Sequence, residues 1–86
     1  MAQYRIEVSG TAERQLKKIR REDKVRILRA ISLLASEPRP GGCKKMSGYD
    51  DIYRIRIGNY RVIYEIDGKR IVVVILKIGH RREVYR

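Results

Sequence analysis

Residues 52–78 read IYRIRIGNYRVIYEIDGKRIVVVILKI, and this stretch decides the fold. Apolar and polar residues alternate over 52–57 and again over 60–66, which predicts two β-strands that each bury one face. Gly58-Asn59 predicts a tight turn between them, and Asp67-Gly68 predicts a hairpin turn with both central residues at positive φ. The apolar run over 70–78 predicts a third strand, buried on both faces at its centre. The stretch therefore predicts three consecutive antiparallel strands.

The half of the chain that precedes these strands predicts one further strand and two helices. Residues 3–8 alternate as a short strand with one buried face, and residues 9–11 offer N-cap oxygens for a helix over 12–20. A second helix is predicted over 22–35, and the prolines and glycines of residues 38–42 end it. The apolar stripe of this second helix comprises Val25, Ile27, Leu28, Ile31, Leu34 and Ala35.

The predicted elements follow the order β-α-α-β-β-β, which is an α+β fold. We expect a curved antiparallel sheet with a helical hairpin packed on one face. The first strand is expected to join that sheet, at a position that the local pattern leaves open. With 86 residues the chain is too short for two independent cores, so residues 1–86 are expected to form a single domain.

The charge of the chain narrows the class of partner. There are 21 Lys+Arg against 10 Asp+Glu, a formal net charge of +11. Both halves of the chain are cationic, which favours a basic body that binds a nucleic acid. The longest apolar run is far below the ~20 residues of a membrane span. A single cysteine, Cys43, and a single histidine, His80, form neither an internal disulfide nor a metal site by themselves. We therefore expect a cytoplasmic protein with no metal site.

Strand alternation concentrates part of this charge on one face of the sheet. The face expected to pack against the helices carries Tyr53, Ile55, Ile57, Val62, Tyr64 and Ile66. The opposite face carries Arg54, Arg56, Arg61, Ile63, Glu65 and Lys77. Arginines on rigid strands suit phosphate binding, because the planar guanidinium donates two hydrogen bonds in a fixed geometry. Residues 79–86 (GHRREVYR) add further cations, a histidine and Tyr85, which can stack on an unpaired base.

The same residues carry a resemblance to a known family. Residues 53–66 (YRIRIGNYRVIYEI), the hairpin and apolar strand after them, and residues 79–85 (GHRREVY) resemble the RelE family of bacterial and archaeal toxins. The helical hairpin, the proline-glycine loop and residues 45–48 (KMSG) match the same layout. The resemblance therefore covers nearly the whole chain.

The resemblance implies a toxin of a toxin–antitoxin module that enters the ribosomal A site and cuts mRNA without a metal or a cofactor. The 2′-hydroxyl would attack the adjacent phosphate and give a 2′,3′-cyclic phosphate and a 5′-hydroxyl. Carried over by position, Arg61 would stabilise the phosphate, Arg81 would assist the leaving group, and Tyr85 would stack on or orient the nucleotide. The implied partners are a cognate antitoxin, the ribosome with its rRNA, and mRNA, with no membrane.

The general base is the point at which this chain departs from the family. The best-known members place lysines where this chain has Arg54 and Arg56, and arginine stays protonated at any physiological pH. Glu65 and His80 are the two candidates for the base, since the resemblance extends to relatives that use a carboxylate or a histidine in this role. Binding of RNA and its phosphates is assigned to Arg54, Arg56, Lys77 and Arg82.

Three other functions stay open from the sequence. A ParE-like toxin shares the fold and poisons DNA gyrase without cutting RNA, although its members generally lack the strand arginine together with the terminal arginine and tyrosine. A non-catalytic RNA-binding module would use the arginines for affinity alone. A degenerate toxin would survive only as a partner for its antitoxin.

Overall fold

The computed structural model describes residues 3–80, which form two helices and five strands. The helices are α1 (Gly10–Lys17) and α2 (Arg21–Leu33). The strands are β1 (Arg5–Val8), β2 (Lys44–Lys45), β3 (Ile52–Ile57), β4 (Tyr60–Asp67) and β5 (Val72–His80). All of these strands belong to one open sheet in the order β1-β5-β4-β3-β2. The predicted α+β fold is confirmed.

The first hairpin of the predicted meander forms as expected. β3 and β4 pair antiparallel, and their closest pair to the turn is Ile57 with Tyr60. Gly58 begins the turn at a φ of 60°, a backbone angle that glycine adopts without steric cost. This turn fixes the register of the two strands that carry Arg54, Arg56, Arg61 and Glu65 of the predicted site.

The turn between β4 and β5 differs from the prediction. The Asp67 carboxylate accepts hydrogen bonds from the backbone N–H groups of Lys69 and Arg70, at 3.1 and 3.0 Å. These bonds stabilise a longer loop, in which Ile71 rather than Gly68 has a positive φ, of 57°. The predicted turn with two positive φ angles at Asp67-Gly68 is therefore wrong.

The two edge strands also depart from the prediction. β1 lies beside β5 and runs parallel to it, so the sheet is mixed rather than wholly antiparallel. β2 pairs antiparallel with β3 inside a segment that the sequence predicts as a loop. A parallel partner is reached through a long connection and leaves no turn signal, and a two-residue strand is too short to show alternation.

Both helices pack on one face of the sheet, as predicted. Ser9 caps α1, because its Oγ accepts a hydrogen bond from the Ala12 N–H at 3.0 Å and donates one to the Leu76 carbonyl at 2.9 Å. The cap therefore also ties α1 to β5. The core between helices and sheet comprises Ala12, Ile27, Ile31, Leu34, Ile55, Val62, Tyr64, Ile66, Val73, Ile75 and Ile78.

The apolar stripe of α2 is narrower than predicted. Ile27, Ile31 and Leu34 are buried against the sheet, whereas Val25 and Leu28 are 47% and 42% exposed. A helix packed on a flat sheet buries one stripe, and spacings of four and three residues place the first three side chains on it. Val25 and Leu28 lie on a different side of the helix, so the part of the predicted stripe that is buried does not include them.

A β-bulge decides which residues of β5 face the helices. Ile63 lies opposite Lys77 and Tyr64 lies opposite Ile75, which leaves Leu76 as an extra residue between the two pairs. The extra residue allows β5 to bury Ile75 in the core while Lys77 points to the open face. The predicted direction of Lys77 is confirmed.

Tyr64 links the core to the loop that follows α2. Its side chain is fully buried, and its hydroxyl donates a hydrogen bond to the Pro38 carbonyl at 2.7 Å. Its ring stacks with that of Tyr53, with centroids 6.1 Å apart. Burial raises the pKa of the Tyr64 hydroxyl, since the low-dielectric core disfavours the phenolate.

Candidate functional site

The face of the sheet opposite the helices holds cationic side chains in two rows. Residues directly opposite each other on adjacent strands point to the same face, so their side chains lie side by side. In one row Arg56 lies opposite Arg61, and Arg61 lies opposite Gly79. The neighbouring row crosses four strands and comprises Lys44, Arg54, Ile63 and Lys77. We call this surface the arginine face; its members are Lys44, Arg54, Arg56, Arg61 and Lys77.

Arg61 is the most deeply buried member of the arginine face. It is only 2% exposed, whereas Arg56 directly opposite it is exposed. Removing a guanidinium from water costs free energy, and a second cation on the next strand adds repulsion. A phosphate bound beside both residues could accept hydrogen bonds from each, because a guanidinium can donate two of them in a fixed geometry. The pair therefore suits the binding and stabilisation of a phosphate.

Lys44 is a member of this face that sequence reasoning missed. It lies directly opposite Arg54 because β2 extends the sheet beyond β3. The next residue, Lys45, lies opposite Tyr53 and therefore points to the other face. The only local signal was a pair of lysines ahead of the first predicted strand of the meander, and a pair of lysines does not reveal pairing. The structure extends the cationic surface by one strand.

Glu65 shares the arginine face but lies far along it from Arg61. The two residues are four positions apart on β4, about 14 Å at ~3.4 Å per residue. Glu65 also lines a cavity of about 420 Å³ together with Asp51, Asp67 and Lys69. Its immediate surroundings are therefore partly acidic, in contrast to those of Arg61.

His80 lies on the side of the sheet that carries the helices. It pairs directly with Tyr60, whose ring packs against the core, and the two ring centroids are 5.9 Å apart at an interplanar angle of 77°. The adjacent pair on the same strands, Arg61 and Gly79, belongs to the opposite face. The structure therefore places His80 and Arg61 on different faces of the sheet.

The other predicted site residues, Arg81, Arg82 and Tyr85, lie outside the described residues. Within residues 3–80, no group of three or more His, Cys, Asp and Glu side chains is arranged to hold a metal ion. No helix in the same part of the chain is both long enough and apolar enough to cross a membrane.

Comparison with known proteins identifies the family to which the chain belongs. Residues 6–85 match the family described as the ParE toxin of type II toxin-antitoxin system, parDE. The chain belongs to this toxin family. The match spans the arginine face, the helical hairpin and the segment that contains Arg81 and Tyr85. The predicted membership of the RelE/ParE superfamily is confirmed.

Several relatives of this toxin carry RelE-type names. Toxin RelG of Mycobacterium tuberculosis is 33% identical over 88 residues, which cover 96% of this chain and 97% of RelG. The toxin's fold matches the archaeal RelE-RelB complex from Pyrococcus horikoshii OT3 with a TM-score of 0.83 and 31% identity, covering 94% of this chain and 98% of that one. It matches the toxin-antitoxin complex RelBE2 from Mycobacterium tuberculosis with a TM-score of 0.82 and 28% identity, covering 93% of this chain and 100% of that one.

Proposed function

We propose that this toxin is a ribosome-dependent endoribonuclease that cleaves mRNA in the A site and so inhibits translation. The observation that carries the proposal is the row in which buried Arg61 lies opposite exposed Arg56. Two guanidinium groups on rigid strands can hold a phosphate in a fixed position and stabilise the charge that develops on it during cleavage. The RelE-type names of the relatives support the same assignment.

The proposed reaction uses the RNA's own 2′-hydroxyl as the nucleophile. The 2′-oxygen forms a bond to the adjacent phosphorus and loses its proton to a base, while the bond from phosphorus to the 5′-oxygen breaks. An acid protonates the departing 5′-oxygen, and the products are a 2′,3′-cyclic phosphate and a 5′-hydroxyl. Arg61 stabilises the pentacoordinate phosphorane, Arg81 assists the leaving group, and Tyr85 orients the nucleotide.

The remaining cations bind the RNA on either side of the reacting phosphate. Phosphate binding is assigned to Arg54, Arg56, Lys77 and Arg82, and we add Lys44 to this set because it lies opposite Arg54. Of the two candidates for the base, Glu65 is favoured because it lies on the same face of the sheet as Arg61, whereas His80 points to the opposite face. Electrostatic stabilisation and positioning supply much of the acceleration in this proposal, so a weak or missing base reduces the rate without abolishing it, and solvent water then takes the proton of the 2′-hydroxyl.

An antitoxin is the proposed protein partner of this toxin. Two of the similar structures are complexes of a RelE-type toxin with its antitoxin. A toxin with a net charge of +11 favours an antitoxin whose contacting segments are acidic. Binding of such a segment over the arginine face would block the access of RNA. The ribosome is the second proposed partner, with rRNA phosphates attracting the basic surface.

Mapping the 5′ ends of mRNA in a translating extract tests the proposal. We expect the purified toxin to generate new 5′-hydroxyl ends inside codons, only in messages that are being translated. The matched upstream fragments should end in a 2′,3′-cyclic phosphate. Intact message together with arrested translation would contradict the endoribonuclease function.

Inhibition of DNA gyrase is a second candidate, and the ParE name of the matching family favours it. A supercoiling assay with purified DNA gyrase separates the two candidates. Under our proposal the toxin leaves the rate of supercoiling unchanged at concentrations that arrest translation. Inhibition of supercoiling with intact mRNA would favour the gyrase function instead.

A further inference from the structure

A cleft on the helix side of the sheet contains none of the cations to which the proposed cleavage step assigns a role. It encloses about 520 Å³ between the end of α1 and the strand pair β4–β5, and its lining includes Gln15, Lys18, Tyr60, Gly79 and His80. The lining combines two aromatic rings, a cation and an amide. These are the groups that proteins use to hold single-stranded nucleotides.

The aromatic part of the cleft is held by the sheet. Tyr60 and His80 are paired across β4 and β5, and their rings meet edge to face with centroids 5.9 Å apart. Tyr60 packs against the core, whereas His80 is exposed. One ring is therefore fixed by packing, and the exposed ring beside it can cover a base that enters the cleft.

The polar part of the cleft is held by the end of α1. The Gln15 carbonyl oxygen Oε1 accepts a hydrogen bond from the Ile78 N–H at 2.7 Å, which fixes the side chain and leaves its amide nitrogen as a donor group. Lys18 is the C-cap residue of α1, and its backbone N–H bonds to carbonyls of the preceding turn. Its backbone is thus anchored while its side chain is exposed. An ammonium group placed here can neutralise one phosphate.

The cleft and the arginine face meet at the end of the sheet. Tyr60 lines the cleft, and the next residue, Arg61, points to the arginine face. Gly79, which also lines the cleft, is paired directly with Arg61. An RNA strand whose phosphate binds Arg61 can therefore pass around this end of the sheet and place a neighbouring nucleotide in the cleft.

We propose that this cleft binds the nucleotide next to the scissile phosphate, with its base against Tyr60 and His80 and its phosphate on Lys18. This inference rests on the proposed function in one respect: it takes the scissile phosphate to be the one bound at Arg61. The cleft itself can be tested without cleavage. An acidic peptide segment is the competing occupant, and the experiment below separates it from a nucleotide.

The test is an NMR titration of the isotopically labelled full chain with adenosine 5′-monophosphate. Matched titrations use adenosine, inorganic phosphate and a short poly-glutamate peptide. We expect the nucleotide to shift the amide signals of Gln15, Lys18, Gly79 and His80, with adenosine or phosphate alone binding at least fivefold more weakly. Equal binding of inorganic phosphate, shifts confined to the arginine face, or binding of poly-glutamate alone would each overturn the inference.

Matched variants test the individual contacts. Lys18→Glu should weaken binding of the nucleotide about tenfold, because it replaces a charge-assisted contact with repulsion. Lys17→Glu makes the same change on the neighbouring exposed residue and should alter affinity less than twofold. His80→Ala should weaken binding, and His80→Phe should restore it by retaining a ring. Equal effects of the two lysine variants would contradict the inference.

Cleavage assays keep the two proposals apart. If the wild-type toxin cuts no mRNA but its binding of the nucleotide depends on Lys18, the proposed function fails and the cleft assignment stands. If mRNA is cut at the same sites and rates by the Lys18→Glu variant, and the nucleotide leaves the cleft signals unshifted, the cleft assignment fails alone.

Discussion

The two faces of this sheet are built from the same strands but carry different side chains, apolar on one face and largely cationic on the other. On the helix side, side chains such as Val62, Tyr64 and Ile75 are fully buried among apolar neighbours. On the arginine face, Arg61 is buried to a similar degree although it carries a charge and lies opposite Arg56. The first face stabilises the fold, and the second departs from what stability alone favours. Such a departure is expected at functional sites.

The largest expected effect tests the helix side. Leu34→Ala should lower the free energy of unfolding by about 3–4 kcal/mol, since it opens a cavity where the side chain is now 1% exposed. Leu28→Ala removes the same atoms from a 42% exposed position on α2, of which Leu34 is the C-cap residue, and should cost less than about 1 kcal/mol. Urea denaturation of both variants measures the difference. Equal losses would show that the outer side of α2 is also packed.

The next effect tests the arginine face through its charge. The double variant Arg54→Ala/Arg56→Ala should weaken binding to ribosomes about 100-fold at low salt and reduce the dependence of affinity on salt, because two phosphate contacts are lost. The control is Arg21→Ala/Arg29→Ala, which removes the same charge from exposed positions on α2. We expect less than a tenfold loss for the control. A similar loss in both would mean that net charge alone drives binding.

A smaller effect tests whether β2 belongs to the arginine face. Lys44→Ala should weaken RNA binding about fivefold to tenfold through loss of one phosphate contact. Lys45→Ala changes the adjacent residue, whose side chain points to the other face and lies 4.0 Å from the Asp50 carboxylate. Filter binding with a single-stranded RNA measures both. If Lys45→Ala weakens binding as much as Lys44→Ala, the assignment of Lys44 to the arginine face is wrong.

The smallest effect comes from Tyr64 and appears at high pH. Burial raises the pKa of Tyr64, so above about pH 10 the unfolded chain loses this proton while the folded chain retains it. Stability should therefore fall with increasing pH in this range, by up to about 1.4 kcal/mol per pH unit for one group. Tyr64→Phe should lower stability by about 1 kcal/mol at neutral pH, through loss of the hydrogen bond to Pro38. Above about pH 10 the stability of this variant should fall less steeply with increasing pH than that of the wild type. Identical slopes for the two proteins, measured by denaturation, would contradict this account.

The sequence was sufficient for the centre of the sheet and insufficient for its edges. Alternation over β3 and β4 predicted the direction of Arg54, Arg56 and Arg61, because a shift of one residue would have turned all three toward the helices. The position of Lys44 depended on a short edge pairing that has no local signal. For the same reason, the parallel position of β1 was not predictable from neighbouring residues.

In the candidate site, too, the local sequence of β5 does not reveal the complete register of the strand. The direction of Lys77 was predictable, yet the side taken by His80 required the full register of β4 and β5, including the bulge at Leu76. On α2, an apolar residue type alone did not separate Ile27 from Val25. Only the position of the sheet relative to the helix decides which of the two is buried.

The most direct test of the central claim compares wild-type toxin and Arg61→Ala on ribosomes programmed with one message. Single-turnover cleavage is measured at toxin concentrations that saturate the ribosome, with binding measured in parallel. We predict that Arg61→Ala retains most of its affinity and loses about 100- to 1,000-fold in the cleavage rate, as expected when one donor to a developing negative charge is removed. Its melting temperature reports whether loss of the buried side chain has unfolded the protein. Unchanged cleavage by a folded Arg61→Ala variant, or losses of binding and cleavage that are equal, would contradict the account.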